Sequence, residues 1–377
     1  MNRLGSSHRG TVSRKAGPVR ERARAPRSFT GGGVPEVTLL GGGTWLRTTF
    51  GPALGSLHRR GELRVISGTE LTPDEAEWLA REFPRARAVQ NPDLIDAGPD
   101  TLALVASPLR HRPTRIATAL RRGWNVLSAC PPAESAGEMA RLCALAEQHE
   151  VTLAVDLPHR LESGNHWLRV IAGGRALGAC TAFRVLDGYS GTRPEEVPPP
   201  GVWIDPGVRA LDLIAGWLGR LHAVSAADDS LGGAEAIARA EFTFDGNRRG
   251  TLFLDRDWQK SPGYELVCRR GNARWEPGDP DSAKLGLRGT EIELCGTLGP
   301  PVSAERSSDA LRRERQLRQL LGALLRRGTA PNDASTLLPA LELADQCRRI
   351  RTMLALPWLS PNETAVASSH GTHRTAA

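Results

Sequence analysis

Val37-Thr38-Leu39-Leu40 runs into Gly41-Gly42-Gly43-Thr44-Trp45-Leu46, an apolar strand pattern followed by a glycine turn and a helical segment. A strand, turn and helix in that order aim backbone N–H groups at a pyrophosphate, so the chemistry suggested is nucleotide binding. Gly41 and Gly43 hold the first two glycine positions of G-x-G-x-x-G, and Leu46 stands where the third would be. The third glycine normally permits close helix–strand packing, so Leu46 is expected to push the helix outward or alter its start. Gly41, Gly43, Thr44 and Trp45 are then the residues left to approach a cofactor; the other reading is a Rossmann fold with an empty site.

The residue that reads the adenosine ribose belongs at the end of the second strand, roughly 20 residues on. Leu63 to Ser67 reads as that strand, which puts Ser67 and Thr69 at the position and Glu70 just beyond. A carboxylate there favours NAD, whereas hydroxyls beside an arginine such as Arg47 or Arg64 suit a 2′-phosphate. The pattern tilts the expected cofactor toward NADP, with NAD the alternative.

Helix and strand signals alternate from residue 35 to about 156, the pattern of a parallel α/β sheet. Thr72-Pro73-Asp74-Glu75 and Ser135 with Glu138 read as capping boxes that open helices. Short apolar strands are expected at Thr101 to Ala106, Asn125 to Ser128 and Val151 to Asp156, and a helix over Pro113 to Arg122. Beyond residue 157 strands cluster with period-two alternation, as in Ala240 to Phe244, which predicts an α+β domain with a mostly antiparallel open sheet. Two helices follow, Asp309 to Arg327 as a solvated arginine face over a leucine stripe, and about Ser335 to Leu354. The expected organisation is a basic extension over 1–33, a Rossmann domain over 34–156, an α+β domain over 157–355 and a flexible tail over 356–377.

The 377 residues carry a net charge of +7, and the basic residues of 1–33 account for that surplus, leaving the remainder neutral. A basic arm poor in apolar residues reads as an extension rather than a nucleic-acid or membrane surface. No run of about 18 apolar residues suggests a membrane span. The six cysteines include no C-x-x-C pair, which argues for free thiols in a reducing cytoplasm and against a zinc site or any other metal. Only Lys15, Lys260 and Lys284 could supply a titratable ammonium. G-x-S-x-G, H-E-x-x-H and P-loop patterns do not occur.

Several landmarks stand in a telling order: Ala106-Ser107-Pro108 with His111, Ala119 to Leu127, Arg160 followed by Leu168 to Gly178, and Trp203 to Asp212. In this order they resemble the Gfo/Idh/MocA oxidoreductases, over residues 36 to about 354. The resemblance implies a Rossmann domain, a second α/β domain whose open sheet supports oligomers, and NAD(P)-linked hydride transfer. It places Ser107, Pro108, His111 and Pro131 beside the cofactor and Arg160 and Asp212 near substrate. Two departures fall where it implies the chemistry to be. Ala129-Cys130-Pro131 matches the family's E-K-P motif, so Cys130 replaces the lysine. Arg209 replaces the histidine of D-x-G-x-H, with Asp205 as the aspartate. In one reading Arg209 holds the reacting oxygen and Asp205 or water handles the proton; in the other Cys130 is a small filler and Arg209 pairs with Asp205 or Asp212.

The expected function is hydride transfer to or from a carbonyl, alcohol or imine of a small polar metabolite, in a specialised biosynthetic step, by a cytoplasmic homo-oligomer. The alternative is a family member without redox turnover that binds, regulates, or carries out elimination or cyclisation.

Overall fold

The computed structural model describes residues 33–43, 45–98, 100–174, 176–188, 199–230, 234–246, 248–256, 262–277, 282–290, 293–297, 309–326 and 328–354. Thr44, the basic extension through residue 32, the Pro-rich connection through Pro198 and the tail from residue 355 lie outside them.

Six strands form the first sheet: β1 (Glu36–Leu40), β2 (Arg64–Thr69), β3 (Arg87–Val89), β4 (Thr101–Val105), β5 (Asn125–Ser128) and β6 (Leu153–Val155). They run parallel in the order β3-β2-β1-β4-β5-β6, the Rossmann arrangement. The Thr-Leu-Ala-Leu-Val sequence of β4 is buried at every position, as a parallel strand covered on both faces requires. Helices α1 (Gly51–Arg59), α2 (Pro73–Glu82), α3 (Arg112–Arg121) and α4 (Ala136–Gln148) connect the strands. At α2 the expected capping box is complete, with Thr72 Oγ1 accepting from Glu75 N at 3.4 Å and Glu75 Oε2 from Thr72 N at 2.8 Å. At α4 only half of the box forms. Ser135 Oγ accepts from Glu138 N (3.2 Å), while Glu138 Oε2 accepts from Glu134 N (3.4 Å) instead of from Ser135.

Leu46 alters the start of the first helix as its bulk predicts. Residues Trp45–Phe50 form a π-helical turn before α1, and Leu46 is buried with Phe50, Leu54 and Leu317. A different close approach is found at Gly51, where a Cβ would lie 2.9 Å from Trp78 Cζ2 of the neighbouring helix α2.

The second sheet has nine strands: β7 (Cys180–Gly188), β8 (Leu221–Asp228), β9 (Ile237–Phe244), β10 (Arg248–Asp255), β11 (Gly263–Cys268), β12 (Gly271–Trp275), β13 (Ser282–Leu287), β14 (Glu293–Thr297) and β15 (Arg351–Met353). Their order is β14-β13-β12-β11-β7-β10-β9-β8-β15, antiparallel except for β7 with β10 and β8 with β15. Helices α5 (Ser163–Gly173), α6 (Gly207–Leu218) and α8 (Leu338–Ile350) cover one face. Arg184, Val224, Arg249 and Thr251 are exposed on these strands.

Two expectations are corrected at the C-terminal end. The last helix stops at Ile350, and residues 351–353 become the edge strand β15, because pairing with β8 satisfies their backbone groups. Helix α7 (Asp309–Leu325) is more than a leucine stripe under a solvated face. Leu317, Leu320 and Leu324 join the core around α1, but Arg313, Glu314 and Gln316 are buried as well. The Arg313 guanidinium lies 5.6 Å from the Phe50 ring centroid, so α7 crosses from the second unit onto the first. Among the described residues no helix is long and apolar enough to cross a membrane.

Candidate active site

Backbone bonding continues past the strands of the first sheet and fixes four loops side by side. Gly41 N donates to Thr69 O (3.1 Å), Ala106 N to Leu40 O (2.9 Å), Ala129 N to Val105 O (3.0 Å) and Asp156 N to Ser128 O (2.8 Å). Gly41 has φ +83°, and a Cβ there would sit 2.5 Å from Ser107 Oγ and 2.7 Å from Ser107 N. Only glycine lets the turn pass so close to the loop after β4. Ser107 Oγ in turn donates to the Leu40 carbonyl at 3.3 Å.

Arg112, buried at the start of α3, donates from Nε to Ser107 O (3.0 Å) and from Nη1 to Pro131 O (2.7 Å). One guanidinium thereby spaces the loop that carries Pro108 from the loop that carries Cys130. Sequence reasoning missed it; an arginine before Pro113 at a helix start looks the same when solvated. His111 is the exposed N-cap residue of α3 and accepts from Arg110 Nε at 2.9 Å. Trp45 is half-buried beside the glycine turn, its ring centroid 4.8 Å from that of Phe50.

At the end of β2 the side chains divide. Ser67 Oγ lies 2.8 Å from Thr38 Oγ1 within the sheet, and Thr69 Oγ1 is buried without a hydrogen-bond partner among the described residues. Arg64 begins β2 at the opposite end and pairs with Glu36, which removes it as a 2′-phosphate ligand. Arg47 is exposed on the π-helical turn. Glu70 stands at the strand end itself.

Across the seam from the first sheet, α6 carries Asp205 just before its first turn, Arg209 within it and Asp212 beyond. The Cys130–Pro131 and Asp205–Pro206 peptides are both cis. Burial, reinforced by the Asp205, Asp212 and Asp156 carboxylates, pushes the Cys130 thiol well above its ordinary range. It therefore stays a neutral thiol at pH 7.

Arg209 Nη2 donates to Asp187 Oδ1 at 2.8 Å. Asp187, at the end of β7 and fully buried, also accepts from Gly188 N (2.8 Å) and from the Tyr264 hydroxyl. The expected partners Asp205 and Asp212 are thus corrected to Asp187. Burial works against the Arg209 charge, but Asp187, Tyr264 and Asp205 together outweigh it and raise its pKa further.

Asp212 is held instead by Arg160, from Nε to Oδ2 at 2.9 Å and from Nη2 to Oδ1 at 2.5 Å. His159 Nε2 lies 3.3 Å from Oδ2, and Arg160 Nη1 donates to Thr336 Oγ1 at 2.9 Å. Burial resists ionisation of Asp212, yet the Arg160 and His159 contacts bring its pKa down to about 2. The two residues expected near substrate are brought together and line a cavity of about 880 Å³ along α6.

A second cavity, of about 340 Å³, meets the other side of Leu213 and is lined by Arg209, Glu162, His159, Tyr264, Trp275 and Arg313. Glu162 precedes α5, and its Oε2 is buried without a hydrogen-bond partner among the described residues. Burial, opposed by Arg312 and Arg209, raises its carboxyl to about 7. Asp156, after β6, is raised by burial to about 6 against the pull of Arg313, whose Nε donates to its Oδ2 at 3.2 Å. Sequence reasoning passed over Glu162 because a glutamate ahead of Ser163 reads as a surface residue. The described residues contain no cluster of three or more side chains suited to a metal ion.

No protein-family model and no curated protein matches the chain. Solved structures do match. The 3-ketoreductase KijD10 from Actinomadura kijaniata, in complex with NADP and TDP-benzene, has a TM-score of 0.74 at 16% identity, covering 86% of this chain and 100% of its own. The fold is that of the Gfo/Idh/MocA oxidoreductases. Levoglucosan dehydrogenase with NADH and levoglucosan shares it at TM-score 0.71 and 14% identity, over 84% of this chain and 96% of its own. An aldose-aldose oxidoreductase from Caulobacter crescentus, complexed with glycerol, does so at 0.72 and 15%, over 84% and 97%. Within the Gfo/Idh/MocA fold, this chain presents an uncharged thiol at residue 130 and a fixed cation at residue 209.

Proposed function

We propose that this chain is an NAD(P)-dependent oxidoreductase that moves a hydride to or from a carbonyl, alcohol or imine of a small polar metabolite. The observation that carries the reading is that the loop after β6 of a Rossmann sheet, through Pro158 and His159, lines one cavity with a fixed cation, Arg209, and a carboxyl poised near neutrality, Glu162. The cofactor fit is local. Gly41 and Gly43 leave the turn without side chains, Trp45 flanks it, and Glu70 stands where a ribose is read.

Bound nicotinamide would supply or accept the hydride. The protein's part is electrostatic and protolytic. Arg209, kept charged by Asp187, stabilises negative charge on the reacting oxygen or nitrogen. Glu162 exchanges the proton: in the reducing direction its protonated Oε2 gives the proton to that atom as the hydride reaches carbon, and the carboxylate remains. Asp205, near Arg209 and Cys130, helps set the field, and Cys130 fills the lysine position without adding charge. The levoglucosan of one neighbour and the aldoses in the name of another support a sugar-like substrate class. A specialised biosynthetic step fits the altered pair of residues 130 and 209, the scattered free cysteines suit the cytoplasm, and the open second sheet suits a homo-oligomer.

The neutral Cys130 also supports a second reading, a member of this fold that binds a ligand without redox turnover. Titration with NADH and with NADPH, followed by quenching of tryptophan fluorescence at Trp45, separates the two. Saturable binding of either nucleotide below about 1 mM is expected of the oxidoreductase, and none up to that concentration rejects it.

A further inference from the structure

Glu75 does more than cap a helix. Its Oε2 accepts from Thr72 N at 2.8 Å, which completes the capping box of α2. Its Oε1 accepts from Gly43 N, in the glycine turn after β1. The cap uses only the first of these contacts, so the second is not explained by helix formation. The side chain is buried, and a Cβ on Gly42 would overlap its carboxylate, so Gly42 makes room for it.

The carboxylate thereby bridges the turn after β1 and the segment after β2, the two elements between which a Rossmann fold seats the adenosine ribose. Glu70 lies on the same side. It follows Thr69 directly, takes a positive φ of 58°, and is gripped by Arg115, whose Nε donates to Oε2 at 2.9 Å while Nη2 meets Oε1. Arg115, the arginine that meets Glu70, is therefore already neutralised, Arg64 is at the far end of β2 with Glu36, and Arg47 is turned to solvent.

We propose that Glu75, with Glu70, makes the chain select NAD(H) over NADP(H). The proposal rests on the dinucleotide-binding reading above and names the cofactor within it. A 2′-hydroxyl can donate to a carboxylate, whereas a 2′-phosphate brings about two negative charges against the Glu75 carboxylate, beside a Glu70 whose charge Arg115 already balances. This reverses the tilt toward NADP that the hydroxyls of Ser67 and Thr69 give the sequence, since Ser67 bonds inside the sheet.

The test is fluorescence titration of the wild type and Glu75→Gln with NADH and with NADPH. Glutamine at the same position can still complete the capping box, so the helix start is preserved. The wild type is expected to bind NADH at least roughly tenfold more tightly than NADPH, and Glu75→Gln to narrow that ratio several-fold by strengthening NADPH binding. Equal or tighter NADPH binding by the wild type overturns the proposal, independently of how the variant folds. An unchanged ratio in a variant with native circular dichroism overturns it as well. If both nucleotides bind alike, only the selection falls; if neither binds either protein, the oxidoreductase reading falls with it.

Discussion

Arg160 and Asp212, 52 positions apart in sequence, form a two-point ion pair between the loop after β6 and the middle of α6. The pair joins the end of the Rossmann sheet to the helix that carries Arg209, so it fixes the seam on which the candidate site is built. Removing one partner leaves the other as an uncompensated buried charge, a change that costs roughly 3 to 5 kcal/mol in buried pairs. Arg160→Ala is therefore expected to lower stability by about that amount, read from urea unfolding at pH 7. A loss under about 1 kcal/mol would show that the pair is solvated and carries little.

Leu46 gives the second expectation. Restoring the fingerprint by Leu46→Gly should not repair a defective site, because Leu46 is 1% exposed and packs with Phe50, Leu54 and Leu317. Its removal opens a cavity and places glycine in a helical turn, at a combined cost of roughly 3 to 5 kcal/mol. The expected outcome is a lower Tm without tighter nucleotide binding. A variant that keeps its Tm and binds NADH more tightly would show that Leu46 does obstruct the site.

These two cases mark how far the sequence reaches. Five of the six strands of the first sheet and the box at Thr72 are legible because runs of apolar residues and capping are local patterns, whereas β3, exposed at Arg87 and Ala88, carries no such run. The π-helical turn follows from one bulky residue at a glycine position. The placement of α7 is not legible, since a leucine stripe states that a face is buried and not against what. Residues 351–353 become a strand only because the edge of β8 is free to pair. At the site, Arg209 is legible as a cation on α6, but its partner Asp187 is 22 positions away on strand β7. The second contact of Glu75 escapes notice because its capping box already accounts for a glutamate there, and Glu162 because a glutamate ahead of Ser163 reads as a surface residue.

The two raised carboxyls predict a definite pH response. Asp156 and Glu162, at about 6 and about 7, hold protons in the folded chain that the unfolded chain has lost above pH 4 to 5. Between those limits the native state binds more protons, so these groups make stability fall as pH rises. Burial lowers the His159 pKa and acts in the opposite sense, and Asp212, at about 2, gives stability that is lost only as pH falls from 4 toward 2. The effect is isolated by difference. The Asp156→Asn, Glu162→Gln double variant should gain on the wild type as pH rises from 4.5 to 7.5, by on the order of 2 kcal/mol or more. Parallel Tm curves over that range would mean that both carboxyls titrate normally.

Cys130 is the last residue whose state can be read chemically. An ordinary thiol of pKa about 8.5 is roughly one quarter thiolate at pH 8 and alkylates readily. Burial and the Asp205, Asp212 and Asp156 carboxylates all disfavour the anion at Cys130. Native protein treated with iodoacetamide at pH 8 should therefore leave Cys130 unmodified, while the same treatment in urea labels it, as peptide mass spectrometry can follow. Cys130→Ser should keep nucleotide affinity within about twofold, since an uncharged filler is replaced by another. Rapid native labelling would instead identify Cys130 as a reactive thiolate and give residue 130 a part in the chemistry that Arg209 and Glu162 are now assigned.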